Sequence, residues 1–63
     1  MKVETIQQKK ILDYIIEKEY FNLNMFEIEL VADDKLKFID RTGDYIIFQL
    51  IGEEVKEIDS RVD

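Results

Sequence analysis

Phe26-Glu27-Ile28-Glu29-Leu30, then Lys35-Leu36-Lys37-Phe38-Ile39, then Tyr45-Ile46-Ile47-Phe48-Gln49-Leu50-Ile51 follow one another with only short polar breaks. In the first two runs apolar residues alternate with charged or outward ones. That period of two marks a strand with one face buried and the other in water. The third run is apolar on both faces, as a central strand is. These three segments predict an antiparallel sheet, and everything else in the chain is read against it.

The turns fix the register. Directly opposed residues of paired strands point to the same side, so Leu30 must face Leu36 or Phe38 and not Lys37. That parity excludes a simple two-residue turn at Asp33-Asp34 and predicts a three-residue loop. Asp40-Arg41-Thr42-Gly43-Asp44 fits the three-residue hairpin in which Gly supplies the left-handed position. Phe38 then faces Ile46, and Leu36 faces Phe48. Lys37 falls opposite or near Glu29 on the outer face, an expected ion pair worth well under about 1 kcal/mol.

Beyond Ile51, Gly52-Glu53 suits a two-residue hairpin turn leading to a fourth strand, Val55 to Val62. Val55, Ile58 and Val62 also have the i, i+3, i+7 spacing of a short helix with Glu53 and Glu54 at its start. Two β-branched Val residues, Asp59 and Ser60 weaken that alternative, and the strand is the favoured reading. Before the sheet, residues 5–19 read as a helix. Thr5 and Gln8 have the spacing of a capping box. At about 100° per residue, Ile11, Leu12, Ile15 and Ile16 share an arc about 140° wide. Val3, Ile6 and Tyr14 fall on another side, either a frayed start with a snorkelling Tyr or a contact with another subunit. Asn22-Leu23-Asn24 is the expected link. The predicted fold class is α+β: one domain, residues 1–63, with an N-terminal helix packed on a three- to four-stranded antiparallel β-meander.

Composition narrows the chemistry. The 63 residues include no His, Cys, Pro or Trp. Disulfides, thiolate zinc sites, Cys nucleophiles, imidazole bases and Ser-His triads are all excluded. Hydrophobic residues make up 46%, enough for a folded domain rather than an acidic disordered tail. No stretch approaches the roughly 20 apolar residues of a membrane span, and Met1-Lys2-Val3-Glu4 does not read as a signal peptide. The expected compartment is the cytoplasm, with no membrane partner. At this length apolar burial and conformational entropy nearly cancel, so self-association, most simply a homodimer, is expected.

The formal net charge is −6, and its distribution is uneven. Residues 1–20 are neutral, so the whole excess lies in 21–63. Such a half repels a phosphate backbone, and direct nucleic-acid binding is not expected. In a four-stranded meander the first and third turns share one end, which would gather Asp33, Asp34, Glu53 and Glu54 as a partner-binding edge. Acidic turns also serve solubility alone. The sheet face away from the helix would carry Met25, Val31, Ile39, Tyr45, Ile47 and Ile51, a candidate oligomer interface. No calcium-loop order of ligands occurs, and turn-tip carboxylates lack the dry pocket that acid–base catalysis needs. No catalytic residue, cofactor or metal is therefore expected, and the chain reads as a non-enzyme.

These features predict a small acidic protein-binding protein, an inhibitor or regulator of a basic nucleic-acid-handling protein, with acidic turns standing in for phosphates. The analogy to small acidic proteins of phages and mobile elements is one of size and charge alone. The alternative is a structural or accessory homo-oligomer that uses its outer sheet face as the interface.

Overall fold

The computed structural model describes residues 3–19 and 25–61. The described residues form one helical segment followed by a four-stranded antiparallel sheet in the order β1-β2-β3-β4. The strands are β1 (Glu27–Ala32), β2 (Lys35–Ile39), β3 (Tyr45–Ile51) and β4 (Glu54–Arg61). The α+β meander expected from the sequence is the observed fold, and the last segment is a strand. The expected link at Asn22-Leu23-Asn24 lies outside the described residues. Among them, no helix is long and apolar enough to cross a membrane.

Helix α1 spans Ile6–Tyr14 and begins with the capping box: Thr5 Oγ1 accepts from the Gln8 N–H at 3.0 Å, and Gln8 Oε1 accepts from the Thr5 N–H at 3.2 Å. The helix then widens into a π turn, Ile15–Glu19. Ile11, Leu12 and Ile15 are buried as the wheel predicts, but Ile16 is 50% exposed. It stood at the edge of the apolar arc, and the wider turn rotates residues after Ile15 away from a continuing α-helical face. Of the second patch, Val3 and Tyr14 pack against the core while Ile6 stays in solvent.

The core is a single cluster: Ile11, Leu12 and Ile15 from the helical segment against Leu36, Phe38 and Phe48. The central strands β2 and β3 supply all three sheet residues. Phe38 and Phe48 meet edge-to-face, 5.7 Å between centroids at 76°, a geometry worth about 0.5–1.5 kcal/mol beyond area burial. Phe26, Ile28, Leu30, Ile46, Leu50 and Val55 surround this centre on the same face.

Register follows the parity argument, with one correction. Leu30 opposes Leu36 and Ile28 opposes Phe38, as required. The extra residue is not in the loop, however. Asp33-Asp34 is a two-residue turn between Ala32 and Lys35, and the register shifts between Leu30 and Ala32, so Val31 is a bulge within β1. A bulge and a longer loop restore parity equally well, which is why the sequence alone does not separate them. The second hairpin is as predicted: Phe38 opposes Ile46, Leu36 opposes Phe48, and Gly43 takes φ +91° in the loop. Gly52 opens the last turn with φ +64°, as the hairpin turns that match strand twist require. A second bulge lies in β4, where Phe48 opposes Glu57 and Ile47 opposes Asp59, leaving Ile58 unpaired.

One side chain fastens the helix to the sheet. Gln8 is 3% exposed, the sole buried polar residue among those described. Its Oε1 also accepts from the Glu4 N–H at 2.8 Å, and its Nε2 donates to the Ala32 carbonyl at 2.7 Å. Beside it the Thr5 hydroxyl donates to the Asp33 carbonyl. The helix start is thus pinned to the β1–β2 turn. Gln8→Leu preserves size but leaves three backbone groups unpaired. The expected loss is about 2 kcal/mol, or about 10 °C in the melting midpoint of a domain this short. Thermal and urea unfolding of the variant would measure it, and a loss below about 0.5 kcal/mol would show that water replaces the latch.

Candidate functional site

The meander brings the β1–β2 and β3–β4 turns to one end of the sheet, so Asp33, Asp34, Glu53 and Glu54 share that end. They are not equivalent. Asp34 is half-buried, and its Oδ2 accepts from Gln49 Nε2 at 2.9 Å. Its carbonyl also accepts from the Leu50 N–H at 3.0 Å, tying the first turn to β3. Glu54 forms an ion pair with Lys56 at 3.0 Å, with both side chains largely in water. Asp33 and Glu53 are exposed, and neither carboxylate is in an ion pair among the described residues. Two carboxylates therefore carry structural partners and two face solvent.

Among the described residues, no group of three or more carboxylates converges closely enough to hold a metal ion. The acidic end is a spread of charge over two turns, without a coordinating cage. Tyr14 and the segment Glu53–Lys56 line a shallow cleft of about 280 Å³ at the same end. A second depression, about 380 Å³, lies at the other end between Met25, Phe26, Ile39, Asp40 and Arg41.

The six outer-face residues are not one continuous patch. Alternation along the paired strands orders the outer face in rows. One row runs Glu27, Ile39, Tyr45, Arg61, the next Glu29, Lys37, Ile47, Asp59, and the third Ala32, Lys35, Gln49, Lys56. Ile39, Tyr45 and Ile47 are neighbours and half-buried. Met25 precedes β1 at one end, where Arg41 Nη2 lies 3.5 Å from its sulfur. Val31 sits in the β1 bulge and Ile51 beside the last turn, both exposed at the other end. The polar third row separates the two groups. Glu29 and Lys37 are opposed as expected, but they do not form the expected ion pair. The Lys37 ammonium lies 4.4 Å from the centroid of the diagonal Tyr45 ring, a cation–π contact that covers part of the apolar trio.

The rows also divide the charge. The outer face holds Glu27, Glu29, Glu54 and Asp59 against Lys35, Lys37, Lys56 and Arg61, a balanced set. Residues 1–20 are balanced too. The net negative charge therefore falls on what remains, chiefly the turns. Sequence reasoning located those turns but missed Gln49, whose signal was its position as the lone polar residue in an otherwise apolar strand.

The opposite end is organised by Asp40. Its Oδ1 accepts from the Thr42 hydroxyl at 2.7 Å, the Thr42 N–H at 2.8 Å and the Asp44 N–H at 3.1 Å. These bonds, the Thr42 hydroxyl foremost, hold the Asp40 carboxyl below its ordinary value of 3.8. A depressed folded-state pKa contributes stability that is present above the ordinary value and is lost as pH falls through the folded-state one. Asp40→Ala is therefore expected to lower the melting midpoint at neutral pH, with the gap to wild type closing as pH drops below 3.8. Parallel melts across pH check this, and a gap independent of pH would assign the effect to turn geometry alone.

The chain was compared with protein-family models, with curated proteins and with solved structures, and none of them matches it.

Proposed function

We propose that this protein is a small acidic binding protein that inhibits or regulates a basic, nucleic-acid-handling protein in the cytoplasm, its acidic end occupying a surface that otherwise receives phosphates. The observation that carries this reading is the partition of charge. The helix half is neutral, and the outer sheet face balances with Glu54 counted on it. That leaves Asp33, Asp34 and Glu53 unbalanced in two turns at one end, while Arg41 offsets one of Asp40 and Asp44 at the other. A charge excess that served only solubility would have no reason to vacate the broad sheet face. Concentrated on one end, it makes a directional field that steers a cationic surface into one orientation.

Each carboxylate has a part in this reading. Asp33 and Glu53 offer free oxygens to Lys or Arg of the partner. Asp34 is held in place by Gln49 and presents its remaining acceptor sites in a fixed geometry. Glu54 exchanges Lys56 for a partner cation at little cost, because an exposed pair of this kind is worth less than about 1 kcal/mol. Recognition is by binding alone and takes no cofactor.

The test compares the wild type with the variant in which Asp33 and Asp34 become Asn and Glu53 and Glu54 become Gln. The amides keep the size of each side chain, and Asn at position 34 still accepts from Gln49. Both baits are used to capture proteins from cytosol of the source organism over a salt series, with identification by mass spectrometry. A basic nucleic-acid-handling protein retained by the wild type, released as salt rises and lost by the variant is the expected result. Identical partners on both baits would remove the acidic end from the function.

A further inference from the structure

Among the described residues, strand β4 is bonded on one side only, to β3, and every residue along it except half-buried Val55 is exposed. An open edge of this length carries a row of unpaired backbone groups, and soluble proteins guard such edges with charge and bulges. The charges here have an order beyond guarding. Glu54, Lys56, Asp59 and Arg61 oppose Ile51, Gln49, Ile47 and Tyr45, so all four lie on the outer face. Read along the strand, their signs are negative, positive, negative, positive.

We propose that two copies of this chain pair through β4, antiparallel and in full overlap, to form an eight-stranded sheet across a two-fold axis near Glu57 and Ile58. In that register Glu54 of one copy opposes Arg61 of the other, and Lys56 opposes Asp59. The symmetry repeats both, giving four cross-strand ion pairs, for which the exposed Glu54–Lys56 pair within each copy is exchanged at little cost. On the helix side Val55 opposes Ser60. The bulge makes this possible. Residues 54 and 61 are seven apart and would point to opposite faces of an unbroken strand, as would 56 and 59. The extra residue Ile58 shifts the alternation by one and brings both pairs to the same face.

The pattern also selects its register. A slip of two residues one way sets Lys56 against Arg61, and the other way sets Glu54 against Asp59, like charges in both cases. The other edge of the sheet does not share this property. Its outer residues are Glu27 and Glu29, so an antiparallel copy of β1 laid against itself meets its own sign. The guard on β4 thus rejects unrelated edges and admits its own, which is discrimination by charge order. The surface involved is small, so the dimer is a weak one, formed as concentration rises.

Light scattering and sedimentation from about 10 μM to about 1 mM would follow the association, with hydrogen exchange of the β4 amides read at both limits. The wild type is expected to go from monomer to dimer, with β4 amides gaining protection in the dimer. Lys56→Glu and Asp59→Lys each replace two attractive pairs by two repulsive ones and are expected to weaken the dimer about tenfold or more. Combining them restores the pairing, to within about threefold of wild type. That rescue distinguishes edge pairing from simple damage to the fold. A monomer throughout the range overturns the proposal. So does a dimer indifferent to all three variants, which would place self-association elsewhere, with Ile47→Glu as the probe of the outer face.

Discussion

Side chains alternate along a strand, and a single short helix covers only one face of a four-stranded sheet. Every strand must therefore deliver its apolar set to the helix side, and each hairpin must preserve that parity. The β2–β3 hairpin does so with a three-residue loop closed by Gly43. The β1–β2 hairpin has a two-residue turn, which alone would send Leu30 to the wrong face, and Val31 supplies the missing residue. The core of Ile11, Leu12, Ile15, Leu36, Phe38 and Phe48 exists because those solutions agree. Gln8 then holds the helix start against the turn, joining the carbonyl of Ala32 to backbone N–H groups that the helix leaves over.

The same alternation governs charge. Beside Ile39, Tyr45, Ile47 and Ile51, the outer face receives the charged side chains of the strands, and these balance in sign. A neutral broad face beside charged ends differs from the uniform acidity that a net charge of −6 suggests. The lysines also act through their stems and their quadrupole contacts. Lys37 over Tyr45 covers apolar surface that a strict count of outward residues would leave open. Net charge therefore says little here until register has assigned each charge to a face.

Much of this was legible in the sequence, because period-two alternation, the Thr5–Gln8 cap and the turn residues are local signals. The β3 limits, the Gly43 hairpin and the β2–β3 register followed from them. What failed has a common physical origin. Val31, Ile58 and the π turn after Tyr14 each insert one residue's worth of rotation into a regular element. Such insertions leave composition and local propensity almost unchanged, so they become visible only when a neighbouring element fixes the frame. The sequence shows Gln8 as a cap and not as a latch for a related reason. Its second role depends on Ala32, which lies 24 residues away in the chain. The meander brings the four acidic residues to one end, whereas the bond from Gln49 to Asp34 depends on the first turn leaning over β3, just beyond the Lys35–Gln49 pair.

Bulges in edge strands are usually read as protection, since they bend the edge away from any partner. In β4 that reading is incomplete, because a bulge at the strand's centre also restores matching faces for a copy of the strand running the other way. With the bulge one residue further along, Asp59 would itself be the unpaired residue, and the pairing of Lys56 with Asp59 would lose its place in the ladder. The position of the bulge and the order of the charges are separate features of the sequence, and each is useful only with the other. Pairing at this edge leaves the turns uncovered, because turns cap strand ends while pairing uses strand flanks. An antiparallel pair would then point its two acidic ends in opposite directions, each still facing solvent. The two surfaces meet at Glu54, the first residue of β4, so Asp33, Asp34 and Glu53 report on the acidic end alone, whereas Lys56, Asp59 and Arg61 report on the edge.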